Sequence, residues 1–426
     1  MTEQQRAMSA TQTANFAEKV SRDIALRALT QLQHGYLVLT EDGVVVGEFG
    51  NKQDPLKARI DVHHTRMYRR FIFNGDIGAG ESYIDRDWSS PDLTSVIRLF
   101  AQNLDAMDAI SQRYGWLTWP FQKLAFLARR NSKSKAKQNI LSHYDLGNEL
   151  YTRFLDPLMQ YSSAVYPNPA ASLDQAQQHK LQRLCDMLDI QPGDHVVEIG
   201  TGWGGLAVYI AQHYDCHVTT TTISDAQLAY AQSKVESLGL SDKVTLLNQD
   251  YRDLTGQFDK LVSVEMIEAV GKEYLPSFFK QCSRLLKPQG RMVLQAITIA
   301  DQRMQRYNRD VDFIQQHVFP GGYLPSNELL HTLTRKHTDM VIRQVDDIGL
   351  HYARTLEDWR VAFNAKHSEL QTLGYDERFS RFWNYYLSYC EGGFIERRVS
   401  AVQLMATKPS AKEALRTVSG NYCATS

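Results

Sequence analysis

Val196-Val197-Glu198-Ile199-Gly200-Thr201-Gly202-Trp203-Gly204-Gly205 decides the fold: an apolar run ends in a carboxylate and passes into a glycine-rich turn that opens a helix. Glycines let the chain turn tightly and let a ligand approach the N–H groups at a helix start without a Cβ in the way. The spacing is not the GxGxxG of a dinucleotide fingerprint, because the third glycine comes too early, and no phosphate-binding lysine follows. Taken alone, the stretch suits a purely structural turn as well as a site for a nucleotide-like ligand at the first βα connection.

Strand and helix patterns alternate around it. Helical spacing over 179–188 stops at Gln191-Pro192-Gly193-Asp194. A strand over 196–199 follows, then a helix over 205–213, a strand over 217–222, a helix over 225–238 and a strand over 244–248. The apolar segment 258–264 leads to a helix over 278–286 and a strand over 291–297. Such alternation predicts a doubly wound, mostly parallel α/β sheet, with ligands beyond the carboxyl ends of the strands. Upstream, 23–32 reads as a helix, 35–49 as a hairpin around Glu41-Asp42-Gly43, and 58–63 as a further strand. Gly75 to Tyr83 reads as turn-rich, and 91–107 as a helix capped near Ser90. The predicted organisation is a disordered tail (1–20), a small α+β N-terminal domain (21–115), an aromatic and basic linker (116–138), and an α/β domain (139–426) with a helical insertion around 300–395.

The chain has 426 residues, 43% hydrophobic, enough for substantial cores. Its 47 Lys+Arg balance 48 Asp+Glu, so no global basic field points to nucleic acid. The five cysteines are scattered without metal-ligand spacing, which suits a reduced, cytoplasmic setting and no bound metal. The N-terminus lacks the apolar core of a signal peptide, and no apolar run is long enough to span a bilayer. Membrane contact is therefore expected to be peripheral. Its candidate is Trp116-Leu117-Thr118-Trp119-Pro120-Phe121, followed by Arg129, Arg130, Lys133, Lys135 and Lys137, which pairs ring area with cations for an anionic lipid surface. A helix packed on its own domain and followed by a solvated linker is the alternative.

Four strand ends carry polar groups suited to a ligand: Glu198 with the glycine turn, Thr222 and Gln227, Asp250-Tyr251-Arg252, and the segment from Glu265 to Glu268. The layout resembles that of S-adenosylmethionine methyltransferases. Glycine amides would face the methionine part, the second strand end the ribose, and an acid beside Tyr251 the adenine amine. The second strand ends in Thr220-Thr221-Thr222-Ile223-Ser224 rather than in an acid, so Thr222 and Gln227 would take the ribose.

Five blocks make the resemblance specific: His143-Tyr144-Asp145-Leu146-Gly147-Asn148, Gln160-Tyr161-Ser162, the 198–205 turn, Gln249-Asp250-Tyr251-Arg252-Asp253, and Tyr385-Tyr386-Leu387 with Cys390 and Phe394. With them the chain resembles the cyclopropane fatty acid synthases and their mycolic acid methyltransferase relatives, from about Gly75 to about Pro409. The resemblance implies a Rossmann-like methyltransferase fold and S-adenosylmethionine contacts at Tyr144, Tyr161, Ser162, Glu198, Gly200, Gly202, Thr222, Ile223, Gln227, Asp250, Tyr251 and Arg252. It also implies a bicarbonate ion, acting as base, held by Glu268 with Tyr352, Ile297 and the positions of Ser163 and Gln295.

Those last two depart from the family, which has Cys and His there; both replacements still donate hydrogen bonds. Cys390 matches a cysteine once proposed as active, although a buried structural role suits it as well. The implied reaction is methyl transfer to the cis double bond of an unsaturated phospholipid acyl chain, then proton loss from a carbocation to give a cyclopropane. Proton loss elsewhere would give a methyl-branched or methylene chain. A catalytically impaired lipid-binding homologue and a small-molecule or nucleic acid methyltransferase are the competing classes, the latter disfavoured by balanced charge and the absence of an Asn/Asp-Pro-Pro-Tyr motif. The implied location is cytoplasmic, peripheral to the inner face of the membrane. The N-terminal unit suits lipid gripping or pairing into a homodimer, and the sequence leaves both open.

Overall fold

The structure, a computed structural model, describes residues 16–104 and 147–411. Helix α1 (Phe16–Leu29) starts inside the stretch expected to be disordered. The hairpin β1 (Tyr36–Glu41) and β2 (Val44–Gly50) turns at Asp42 and Gly43, both with left-handed φ (47° and 80°), the geometry that matches the twist of paired strands. Strand β3 (Lys57–Val62) joins β1 in parallel, and β4 (Trp88–Ser89) closes a sheet of order β2-β1-β3-β4.

The segment expected to be turn-rich is helical. Helix α2 (Arg66–Ile84) runs through it, and only Gly75 (φ 56°) breaks the helical geometry, as a kink. Gly80 serves close packing instead, since a Cβ there would meet the Phe313 and Tyr385 rings within 3.0 Å. Helix α3 (Leu93–Gln102) is capped by Asp92, whose carboxylate accepts from Ser95 N at 3.0 Å, not by Ser90.

The second sheet has seven strands: β5 (His195–Ile199), β6 (His217–Thr222), β7 (Val244–Asn248), β8 (Phe258–Val264), β9 (Leu286–Ile299), β10 (Val341–Asp347) and β11 (Val399–Thr407). Their order is β10-β11-β9-β8-β5-β6-β7; β5 to β9 are parallel, and β11 lies antiparallel between β9 and β10. The strand order reverses between β5 and β8, and a reversal of this kind leaves a crevice at the carboxyl edge. Helix α4 (Leu173–Leu188) leads into β5, and α5 (Gly205–His213), α6 (Asp225–Ser237) and α7 (Leu275–Leu285) connect parallel strands.

Beyond β9 the chain forms α8 (Asn327–His337), α9 (Gly349–Ala365) and α10 (Glu377–Ile395). This region is not purely helical as expected, because β10 within it supplies a sheet edge. On α10, Phe379, Trp383, Tyr386 and Phe394 recur at helical spacing and join one apolar core with Leu37, Leu99, Phe154 and Trp359. The first sheet's layer is thereby continuous with α10, and Thr94 Oγ1 donates to Glu391 at 3.1 Å while Arg98 Nε donates to Glu396 at 2.7 Å. No described helix is long and apolar enough to cross a membrane.

Candidate active site

A cleft opens at the strand reversal. Eleven of the twelve predicted cofactor residues line it: Tyr161, Ser162, Glu198, Gly200, Gly202, Thr222, Ile223, Gln227, Asp250, Tyr251 and Arg252. Tyr144 lies outside the described residues, as does the 116–137 segment. The turn has its required geometry: φ is 104° at Gly200 and 51° at Gly202, and a Cβ at Gly202 would meet no protein atom. Free space at a turn that lines the cleft fits a ligand approaching the backbone. Trp203, inside the turn, donates through Nε1 to Asn148 Oδ1 at 2.8 Å, tying the turn to the end of the 143–148 motif.

The cleft's polar groups are held by the fold. Asp250 is clamped by Arg252, with Nε to Oδ1 at 2.8 Å and Nη2 to Oδ2 at 2.6 Å. Ser224 caps α6 by accepting from Gln227 N, and Thr222 Oγ1 donates to the Gln227 side chain at 3.2 Å. Glu198 accepts from Thr220 Oγ1 at 2.6 Å; burial pushes its carboxyl up to about 8 against the pull of that hydroxyl and of Lys180.

Lys180, on α4, had no place in the sequence reading. Its Nζ is wholly buried and donates to Gln160 Oε1 at 2.6 Å and Ser162 Oγ at 3.0 Å, and burial pulls it down to about 8. It fixes the outer wall of the cleft from behind. A fully buried lysine needs such partners, and the unbroken polar-apolar rhythm of α4 gave no sign that this position faces inward.

Behind the cleft, three of the six predicted catalytic residues, Ser163, Gln295 and Tyr352, gather around Glu265, which the sequence named only as the start of a polar strand end and not as a catalytic residue, and which lines the cleft itself. Ser163 N donates to Glu265 Oε1 at 2.9 Å, Gln295 Nε2 to the same oxygen at 2.8 Å, and Tyr352 Oη to Oε2 at 2.7 Å. Ile297 N donates to Glu268 Oε1 at 2.5 Å, and Glu268 Oε2 is buried without a partner among the described residues. The Ser163 hydroxyl turns away to the Ala164 carbonyl. The donors expected to hold bicarbonate are thus spent on two carboxylates of the chain. The arrangement does not fit that ion, and it corrects the expectation of an anion bound by Glu268, Ser163, Gln295, Ile297 and Tyr352.

Burial raises both acids: Glu268 is pushed up to about 8, with the charge of Glu265 adding to the effect. Glu265 is raised by burial, while its hydrogen bonds and Lys180 draw it back. Two carboxylates this close do not both ionise readily. Cys390 packs in the aromatic wall with its thiol pushed up by burial, so it is neither thiolate nor base, in keeping with a structural role.

Aromatic rings surround the cluster. Tyr352 stacks on Phe394 (4.4 Å between centroids) and Tyr161 on Trp359 (5.1 Å), and the Tyr161 and Tyr386 hydroxyls lie 2.9 Å apart. Phe313 meets Tyr385 edge-on at 4.7 Å, further along the same core.

An open α/β sheet with a glycine turn at its reversal, four strand ends converging on one cleft and an aromatic-walled acid cluster behind it define an S-adenosylmethionine-dependent methyltransferase. The chain belongs to the cyclopropane synthase family: the family described as mycolic acid cyclopropane synthetase matches residues 131–404. It is 37% identical over 370 residues to the tuberculostearic acid methyltransferase of Mycobacterium tuberculosis, covering 83% of each chain. It is also 37% identical over 361 residues to the cyclopropane-fatty-acyl-phospholipid synthase of Escherichia coli, covering 82% of this chain and 88% of the relative. The solved structure of mycolic acid cyclopropane synthase CmaA1 complexed with SAH and CTAB superimposes with a TM-score of 0.60 at 27% identity, covering 64% of this chain and 98% of that one. The protein is accordingly an S-adenosylmethionine-dependent C-methyltransferase with a Rossmann-like fold.

Proposed function

We propose that this protein methylates the cis double bond of an unsaturated phospholipid acyl chain and removes a proton from the carbocation that results. One adjacency carries the reading: Glu265 lines the cofactor cleft and is also the centre of a buried hydrogen-bonded cluster among aromatic rings. S-adenosylmethionine, when bound, supplies an electrophilic methyl group to the alkene. Gly200 and Gly202 present backbone to its methionine part, Thr222, Ile223 and Gln227 receive the ribose, and Asp250, oriented by Arg252, takes the adenine amine beside the Tyr251 ring. Tyr161 and Ser162, with Ser162 braced by Lys180, form the outer wall, and Tyr144, outside the described residues, is assigned to the cofactor on the resemblance alone. Glu198 anchors the turn from below.

The poor nucleophilicity of an alkene demands close placement, which is worth several kcal/mol, on the order of 7–11 in the best-oriented cases. A carbocation survives only where water is excluded and π faces are near, which the rings of Tyr161, Trp359, Tyr352 and Phe394 supply. Proton loss from the transferred methyl group closes a cyclopropane, the product named for the Escherichia coli relative. A second product has a specific observation in its favour: a side-chain carboxylate fixed in the cluster, rather than a small ion, restricts which proton is reached. Loss of a different proton leaves a methylene or methyl-branched alkene, and the relative named for tuberculostearic acid supports that reading.

The test is to incubate the enzyme with oleoyl phospholipid vesicles and labelled S-adenosylmethionine, and to analyse the lipid by mass spectrometry before and after mild hydrogenation. A methylated chain that resists hydrogenation is the cyclopropane, and one that takes up hydrogen is the alkene. No methylated chain refutes the proposal. The same reading places the enzyme on the cytoplasmic face of the membrane, held by the aromatic and basic segment 116–137.

A further inference from the structure

We propose that Glu265 is the built-in general base of the reaction, so that turnover needs no bound bicarbonate. The inference rests on the methylation of an alkene proposed above. Glu265 is the acid of the cluster that lines the cleft, whereas Glu268 does not line it. Its surroundings are those of an ionised carboxylate: the Ser163 N–H and the Gln295 amide can only donate to it, and Tyr352 donates its hydroxyl.

The orientation of the Gln295 amide is itself fixed. Arg183 can only donate, and its Nε meets Gln403 Oε1 at 2.6 Å; Gln403 Nε2 then donates to Gln295 Oε1 at 2.9 Å, which leaves Gln295 Nε2 facing Glu265. The far end of this relay is the ion pair of Arg183 with Asp346. Oε1 thus accepts two hydrogen bonds and Oε2 one among the described residues, which leaves a lone pair on Oε2 for a proton. Glu265 also holds a left-handed backbone (φ 47°), a conformation that costs free energy for a residue with a side chain and that recurs at functional positions. In the step itself, one C–H bond of the methylated cation breaks. Its electron pair becomes the new ring C–C bond or a C=C bond, and the proton passes to Glu265 Oε2. No oxidant or reductant is involved.

The experiment compares wild type, Glu265→Gln and Glu265→Gly in oleoyl phospholipid vesicles, in buffer stripped of carbon dioxide and again with added bicarbonate. Calorimetric binding of S-adenosylmethionine reports that each variant is folded. Wild type is expected to turn over equally in both buffers. Glu265→Gln is expected to lose about a hundredfold in turnover, the usual scale for a missing general base. Glu265→Gly relaxes the left-handed backbone and frees the donors of Ser163, Gln295 and Tyr352, so it is expected to be inactive alone and to recover at least about tenfold with bicarbonate as a substitute carboxylate. Wild-type turnover that falls about tenfold on depletion, Glu265→Gln turnover close to wild type, or a Glu265→Gly protein indifferent to bicarbonate overturns the assignment while leaving alkene methylation standing. A wild-type enzyme that binds S-adenosylmethionine and leaves the lipid unmethylated overturns both.

Discussion

Replacing Gly205 by alanine sets one methyl group against a segment that has little freedom to step aside. Gly205 opens α5 next to residues 158–160, and an added Cβ would lie within 3.0 Å of the Leu158 carbonyl oxygen and of Gln160 Nε2, closer than real Cβ atoms come. That segment is strapped down. Asp156 accepts from Leu158 N and from Gln160 N, both at 2.8 Å, and Lys180 holds Gln160 Oε1. Met159 between them already has a left-handed φ of 56°. Relief therefore requires the strap to move away from the turn, and Gln160, Tyr161 and Ser162 on it line the cleft. Overpacking of this kind costs roughly 1–3 kcal/mol. If about 2 kcal/mol of that falls on the binding-competent arrangement, affinity for S-adenosylmethionine drops about thirtyfold. Titration calorimetry with S-adenosylmethionine, together with a thermal melt, measures both parts of the cost. A Gly205→Ala protein with wild-type affinity and wild-type melting refutes the reasoning.

Three further predictions follow from the cluster and the linker. Tyr352→Phe leaves Glu265 Oε2 short of its donor at a cost of about 1–3 kcal/mol, so turnover should fall about ten- to a hundredfold with S-adenosylmethionine affinity kept; equal losses in both, or none, would contradict the placement. For Glu268 the folded carboxyl stands at about 8 against an unfolded value of 4.5, so its contribution to stability is greatest below the unfolded value and is lost as pH rises toward 8. Relative to wild type, Glu268→Gln should therefore gain stability between about pH 5.5 and about pH 7.5, on the order of a few kcal/mol, and denaturant melts showing a constant or shrinking difference would contradict this. Reversing the charges of Arg129, Arg130, Lys133 and Lys135 should weaken cosedimentation with anionic vesicles by about 1 kcal/mol per side chain, and unchanged sedimentation would remove the membrane role of that segment.

The parallel core was legible because short runs of apolar or β-branched residues alternate there with helical patterns, so the helix 205–213 and the strands 217–222 and 244–248 keep their expected bounds. The N-terminal layer was less so. Glycines that read as punctuation at Gly78 and Gly80 are instead sites of close approach within α2, to Arg70 and to Phe313, and no local pattern separates the two uses. Likewise β10 is an edge strand whose place depends on pairing with β11, at the far end of the chain.

By itself the sequence determined that a glycine turn at Gly200 opens a ligand site at the edge of a parallel sheet, because backbone conformation and strand periodicity are local properties. It also brought together most of the residues that line the cleft, since Gly200, Gly202, Thr222, Ile223, Asp250, Tyr251 and Arg252 sit at or just beyond strand ends, whereas Tyr161 and Ser162 follow no strand. Only the tertiary structure decided how the carboxylates divide their work. Ser163, Gln295, Tyr352 and Ile297 are donors from three separate parts of the chain, Gln295 and Ile297 sharing β9, and which acid they serve depends on where Glu265 and Glu268 point. Three residues apart in one loop, the two acids meet different walls, one at the cleft with three donors and the other behind it with one.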